Sequence, residues 1–286
     1  MTSEEINVKE LSALVSLLED DDREVANHVE SKLLSLGTKV IPFLEKEWMN
    51  NSLIPYVRSK IEDIIHALQY ELLREDLMSW KNERSEDLLE GMMLIAKYQY
   101  PDLNLDFLER KFEQFYQKAV LAFGEEAKPM EQVKVLNDFF YNELKFRPNS
   151  KNFHAPSNSM LNVVLESKRG NPLTLCVIYL LIARRLKMPV SGVNLPNLFI
   201  LIYESDQTNF YVNVFNNGMI FTREDLDNYI EQLNIGKQDM FYEACSHVAI
   251  IARCLRNLLA SFEKIGEYKR ADDIKMLLQS VEESKY

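Results

Sequence analysis

The chain has 286 residues, 47% of them hydrophobic, which is ample material for a buried core and, by length, for one to three domains. Its 44 Asp and Glu against 33 Lys and Arg give a net charge of −11. That balance speaks against a nucleic-acid backbone or an anionic membrane surface as the main partner, since both reward cations.

Met1 to Ser12 is acidic and polar with no apolar leader core, and the longest apolar run, Leu175 to Ala183, is far too short to cross a bilayer, so a cytoplasmic protein is expected. Val8, Leu11, Leu14, Val15 and Leu18 recur at the spacing of one helical face. Asp20-Asp21-Asp22 starts a second helix that runs to Leu36 and closes at Gly37. Val40 to Met49 is short and apolar, and Pro55 opens a long helix carrying Val57, Ile61, Ile64, Ile65 and Leu68. These are two degenerate helix pairs. The stretch LSALVSLLEDDDREVANHVESKLLSLGTKVIPFLEKEW resembles a HEAT-type repeat, with the Asp-Asp turn, the following Glu-Val and the closing Leu-Gly where that repeat has them.

Ser85-Glu86-Asp87 caps a helix through Tyr98 that Pro101 ends, and Leu105 to Phe123 and Pro129 to Leu144 are two further amphipathic helices. Arg147 to Ser159 is polar, with two prolines and several Asn and Ser, and reads as an ordered loop. It leads into Lys168-Arg169-Gly170-Asn171-Pro172 and then Leu173 to Ala183, polar only at Thr174. Gly170 is expected to supply a turn, Pro172 suits the first helical position and Pro189 stops propagation. A helix with almost no solvent side belongs in the middle of a domain.

The period then changes. Pro189 to Leu195, Leu198 to Glu204, Asn209 to Phe215 and Met219 to Phe221 are short and rich in β-branched and aromatic residues, separated by Pro196-Asn197, Asp206-Gln207-Thr208 and Asn216-Asn217-Gly218. An antiparallel meander follows. Thr222-Arg223-Glu224-Asp225 starts a capped helix, and Tyr242 to Lys264 and Tyr268 to Val281 form a last pair joined at Gly266. The spacing Leu258, Phe262, Gly266, Tyr268, Ala271 resembles one tetratricopeptide unit. Cys176, Cys245 and Cys254 are odd in number and lie in apolar helical context without Cys-x-x-Cys spacing, so neither a disulfide framework nor a zinc site is expected. His28, His66 and His247 sit on helices, and His247 is two residues from Cys245, a spacing that does not share a helical face. No metal and no cofactor are expected.

The stretch NSMLNVVLESKRGNPLTLCVIYLLIARRLKMPVSGVNLP, followed by FNNGMIFTRED, resembles the bacterial SirB-type family of the transglutaminase-like superfamily. LIAKYQYPDLNLDFLERKFEQF and the tetratricopeptide-like end fit the same family, so the likeness spans roughly Leu89 to Val281. It implies a predominantly helical α+β protein: a transglutaminase-like core, with a buried helix on a small antiparallel sheet, flanked by α-helical repeats. The expected divisions are HEAT-like pairs over 1–79, the core over 80–236 and a tetratricopeptide-like pair over 237–286. The superfamily's enzymes place a Cys at the start of the buried helix, a His on one strand and an Asp on the next. A helix N-terminus lowers a thiol pKa, and the carboxylate fixes the imidazole tautomer.

Position by position, the resemblance puts these roles on residues that cannot perform them. The nucleophile, two residues after the glycine, falls on Pro172. The histidine of Pro-Gly-His-Phe falls on Leu198 within Pro196-Asn197-Leu198-Phe199, and the aspartate of Ile-Asp-Pro-Phe-Asn on Asn213. A non-catalytic, protein-binding or regulatory module follows, with an unidentified protein partner, its family-motif cleft being drawn from Asn158, Ser159, Asn162, Gly170, Asn171, Asn194, Asn213 and Asn216. The alternative is a cysteine-dependent hydrolase or acyltransferase with a rearranged site, using Cys176, one helical turn beyond Pro172, and His154 as base. A cysteine inside an apolar helix is more often core, and no carboxylate at a telling spacing orients His154. Ser159 reads as a loop-shaping group, and Lys168-Arg169 and Arg184-Arg185 as helix-end cations that keep their charges in water.

Overall fold

The computed structural model describes residues 7–20, 22–50, 53–123, 127–206 and 208–282. Residues 1–6 of the polar N-terminal segment, Asp21 of the acidic turn and Gln207 of the strand turn lie outside the described residues. The residues fall into two compact units, Met1–Asp76 and Leu77–Tyr286.

In the first unit, α1 (Val8–Leu17) is capped by Asn7 and α2 (Arg23–Ser35) by Asp22, whose side chains accept from the amides of Lys9 and Glu24. Gly37, at φ +72°, ends that pair in the left-handed region, as expected of a helix-closing glycine. A short 3-10 turn leads into α3 (Ile41–Trp48), and α4 runs from Pro55 to Glu83, across the division between the units. The periodic residues Leu11, Val15, Leu18, Val29, Leu33, Leu44, Val57, Ile61 and Ile64 form one buried cluster.

The second unit holds α5 (Leu88–Lys97), α6 (Leu105–Ala122) and α7 (Pro129–Asp138), the last continued by a π turn over Phe139–Glu143. The polar loop is tied down by a short parallel pair, β1 (Arg147–Pro148) with β2 (Arg169–Gly170), and by a 3-10 turn over Pro156–Ser159. Between them lies α8 (Leu161–Ser167). Next come α9 (Pro172–Arg185), the strands β3 (Val190–Leu195), β4 (Leu198–Ser205), β5 (Thr208–Asn213) and β6 (Met219–Phe221), and α10 (Arg223–Gln232). α11 (His247–Ile265) and α12 (Tyr268–Glu282) complete the unit. The strands make one antiparallel sheet in chain order, with Leu195 opposite Leu198 at the first hairpin and Asn197 in the left-handed region at its tip. This is the mostly helical α+β arrangement expected.

Helix α9 is buried along Leu173 to Ala183 and packs on β3 and β4. Each large aliphatic side chain removed from water there contributes about 1.5–3 kcal/mol, which makes α9 the element around which the unit assembles. The other sheet face carries Val193, Leu195, Ile200, Ile202 and Tyr211 against Leu226 and Ile230 of α10. No helix among the described residues is long and apolar enough to cross a membrane.

Two local expectations are corrected. Gly170 does not supply a left-handed turn; Lys168, at φ 59°, takes that conformation at the end of α8. What Gly170 provides is room, because a Cβ there would lie 2.9 Å from Val164 Cγ1. The penultimate helix starts at His247 rather than Tyr242, because the Ser246 side chain accepts from the Ala249 amide and fixes the cap there.

Candidate functional site

The start of α9 is held by amide chemistry rather than by charge. Asn171 caps the helix: its Oδ1 accepts from the Thr174 amide at 2.9 Å, and its Nδ2 donates to Ser159 Oγ at 3.0 Å. Asn158 secures the loop in front of it. Its Oδ1 accepts from Asn149 Nδ2 at 2.8 Å, while its Nδ2 donates to the carbonyls of Asn152 and Phe153. Asn158, Ser159 and Asn171 are all buried, so the Asn-Ser motif of the sequence is a loop brace that sets where the N-terminal end of α9 lies.

Beside that end opens a cleft of about 340 Å3, lined by Phe153, His154, Asn171, Pro172, Leu173, Asn197 and Phe199 on one side. The opposite wall comes from α11: Arg253, Asn257, Ala260 and Ser261, one face of that helix at i, i+4, i+7 and i+8. Arg253 Nη1 donates to Asn194 Oδ1 at 2.8 Å and to the Leu195 carbonyl at 3.1 Å, which ties α11 to the end of β3. Burial, then the neighbouring Arg256, draws the Arg253 pKa down. Among the described residues no Asp or Glu lines the cleft.

The residues assigned by the resemblance separate around this cleft. Pro172 borders it. Leu198 packs with the cluster on the α10 face of the sheet, and because strand residues alternate, its neighbour Phe199 is the one that faces Pro172 across the cleft. Asn213 is buried, and its Oδ1 accepts from the Asn216 amide at 3.1 Å, capping the 3-10 turn after β5. Asn216 itself is exposed. Asn162 Oδ1 on α8 is buried without a hydrogen-bond partner, as is the Thr174 hydroxyl on α9.

Cys176 lies below the cleft rather than on it. It is 0% exposed, its thiol donates to the Phe199 carbonyl at 3.4 Å, and burial pushes its pKa far above the usual thiol range. Cys254, also buried, is pushed up to about 12 by burial, and Cys245, partly buried, to about 11. His154 is exposed at the mouth with its ring edge-on to Phe153 at 5.3 Å. The structure thus brings His154 to the same cleft as Pro172 and Asn171 but leaves Cys176 sealed beneath it.

His247 belongs elsewhere. Its Nδ1 donates to the Ser85 carbonyl at 3.0 Å and its Nε2 faces Arg184 Nη1, and burial followed by that cation lowers its pKa. The basic pairs stand at helix ends: Lys168 Nζ lies 4.5 Å from the Phe146 ring centroid and Arg185 lies over Phe112. Among the described residues no group of three or more His, Cys, Asp or Glu could hold a metal ion.

Arg253 is the residue that sequence reasoning passed over. Its signal is present, since it interrupts the apolar run Val248 to Leu255, where a lone arginine on a buried face calls for a partner or a cavity.

Residues 106–256 match the family model described as the transglutaminase-like superfamily. Among curated proteins the chain is similar to a UPF0162 protein of Xylella fastidiosa (strain 9a5c), 26% identical over 190 residues, or 64% of this chain and 68% of that protein. It is 24% identical over 135 residues to a UPF0162 protein of Vibrio cholerae, covering 47% of this chain and 50% of the relative. It is also 28% identical over 162 residues to human F-box only protein 21, covering 48% of this chain but 26% of that protein. No solved structure matches significantly.

Proposed function

The chain belongs to the transglutaminase-like superfamily, and on that premise we propose that its core is a non-catalytic binding module that offers a partner the cleft between α9 and α11. The observation that carries the reading is the identity of the residue at the head of α9. Pro172 has neither a nucleophile nor an N–H, and the nearest thiol, Cys176, is sealed beneath Phe199. A buried, protonated thiol held by backbone hydrogen bonds is a core group, which weighs against the rearranged cysteine hydrolase or acyltransferase. The same core in human F-box only protein 21 covers a quarter of a longer chain, which fits a module carried in different protein contexts. The reading takes this protein as a cytoplasmic, bacterial SirB-type member. Its N-terminal helices are HEAT-like and its α11–α12 pair tetratricopeptide-like, and such repeats present extended surfaces to a protein partner.

Thiol chemistry tests it. At pH 8 a pKa near 11 leaves Cys245 with a thiolate fraction about a hundredfold below that of an ordinary thiol; higher intrinsic nucleophilicity returns about tenfold, so Cys245 reacts about tenfold slower than a free thiol. Mass-spectrometric mapping after iodoacetamide treatment of the native protein is expected to show Cys245 modified first, with Cys176 protected until the chain unfolds. Rapid labelling of native Cys176, with amide or ester turnover lost in Cys176→Ala, reverses the reading in favour of the enzyme.

A further inference from the structure

We infer that the cleft beside α9 is a carboxylate site: it takes an organic anion whose carboxylate pairs with Arg253 and whose apolar body lies against Phe153, Leu173 and Phe199. The inference rests on the binding-module reading and names its ligand class.

Three observations converge. Arg253 spends only Nη1 on the protein, on Asn194 and the Leu195 carbonyl; its Nε and Nη2 make no hydrogen bond among the described residues. A guanidinium presents parallel donors that match a carboxylate's two oxygens, and this one, partly buried on the cleft wall, keeps two of its nitrogens uncommitted. Second, among the described residues no acidic side chain lines the cleft, in a chain of net charge −11, and His154, Asn197 and Asn257 add polar groups around the arginine. The groups acting electrostatically on Arg253 are Arg256, Tyr229 and Cys245, none of them a carboxylate. The positive end of the α9 dipole borders the same space, a secondary contribution. Third, about 340 Å3 falls in the range of small-ligand pockets, and its apolar lining, the exposed Phe153 with the almost fully buried Leu173 and Phe199, suits an aromatic or branched aliphatic body. Such a carboxylate is borne either by a free organic acid or by the C-terminus of a peptide ending in an apolar residue.

The test uses the full chain and 19F NMR titration with 4-fluorophenylacetate and its uncharged counterpart, 4-fluorophenylacetamide. The acid is expected to bind about tenfold to a hundredfold more tightly than the amide, the range for a hydrogen bond to a charged group. Arg253→Gln is expected to remove that preference and Arg253→Lys to restore part of it. Because Arg253 also joins α11 to β3, Ala260→Trp serves as a second variant; it fills the exposed rim of the cleft, leaves the arginine's bonds intact, and is expected to weaken the acid by a similar factor. Tighter binding of N-acetyl-Gly-Phe with a free C-terminus than of the small acid assigns the source to a peptide end, and the reverse order to a free acid. Equal affinity for acid and amide, no binding of either at millimolar concentration, or full binding by folded Arg253→Gln and Ala260→Trp overturns the inference. The outcomes remain separable from those of the wider reading: acid preference together with turnover keeps this site and removes the non-catalytic role, whereas acid indifference without turnover does the opposite.

Discussion

Replacement of Asn171 by alanine isolates what fixes the head of the organising helix. Asn171 is 7% exposed, and its amide works in both directions, accepting from the Thr174 amide at 2.9 Å and donating to Ser159 Oγ at 3.0 Å. Loss of an N-cap acceptor costs about 0.5–2 kcal/mol. The Ser159 hydroxyl, 1% exposed, also loses its partner; a buried polar group left unmet costs about 1–3 kcal/mol, part of which its freedom to rotate toward another acceptor recovers. The sum expected is about 2–3 kcal/mol. For a cooperative unit the size of Leu77–Tyr286, where 1 kcal/mol moves Tm by about 2–4 °C, that is a fall of about 4–12 °C. Urea unfolding followed by circular dichroism reads it as a lower midpoint with an unchanged slope. Asn171→Asp keeps the acceptor at the positive end of α9 and can accept from the Ser159 hydroxyl, so it is expected to lose less than the alanine variant. If Asn171→Ala costs under about 0.5 kcal/mol, the start of α9 is held by something other than this amide, and the account of the loop brace fails.

Gly170→Ala tests the reassignment of that glycine from turn to packing. A Cβ 2.9 Å from Val164 Cγ1 and 3.3 Å from Leu175 forces α8 to shift, an overpacking cost of about 1–3 kcal/mol by the same urea assay, whereas a stability equal to wild type shows the space to be yielding. The pH profile of stability should carry the mark of His247. Burial and Arg184 hold its folded pKa below the ordinary 6.5, so the unfolded chain binds the proton first. Stability is therefore expected to fall as pH drops below about 6.5 and to level off below the folded pKa, with the slope reduced in His247→Gln; a slope of opposite sign, or one unchanged by the substitution, contradicts the burial of a neutral ring.

The parts of this fold that could be read from the sequence are those whose cause is local. Pro172, Asn197 and Gly266 each fix a backbone conformation on their own, and the unbroken apolar run after Pro172 needs no neighbour to announce burial. α8 and the β1–β2 pair escaped because each is short and held from a distance: Arg147 pairs with Arg169 across an intervening loop and helix, a relation no window of residues contains. The same reason hid the cleft. Its two walls, the head of α9 and one face of α11, lie some 80 residues apart in Pro172 and Arg253, and α11 viewed alone is an amphipathic helix whose odd arginine has no stated purpose. Phe199 shows the other limit. Motif alignment points to Leu198, but the strand's alternation, fixed only once β4 is registered on β3 and β5, turns Leu198 toward α10 and its neighbour toward the cleft.

That geometry predicts the outcome of putting a nucleophile back. Pro172 is half-buried on the cleft wall at the first turn of α9, so in Pro172→Cys the new thiol stands at a helix N-terminus, where the dipole lowers its pKa, and it is open to solvent. It is expected to become the fastest-alkylating thiol of the chain, ahead of Cys245. Catalysis needs more, because a base within hydrogen-bond reach must take the thiol's proton and return one to the leaving group. The strand facing it presents Phe199, the histidine position points to the other side of the sheet, and Asn213 is committed to capping a turn. Among the described residues the one imidazole on the cleft is that of His154, exposed and edge-on to Phe153, with no carboxylate there to orient it. Pro172→Cys is thus expected to accept an electrophile once and to show no turnover of activated esters above the rate of its stoichiometric acylation. Sustained turnover that is lost on adding His154→Ala would show that the loop histidine reaches the head of α9, and the cleft would then need one substitution, not three, to become an enzyme.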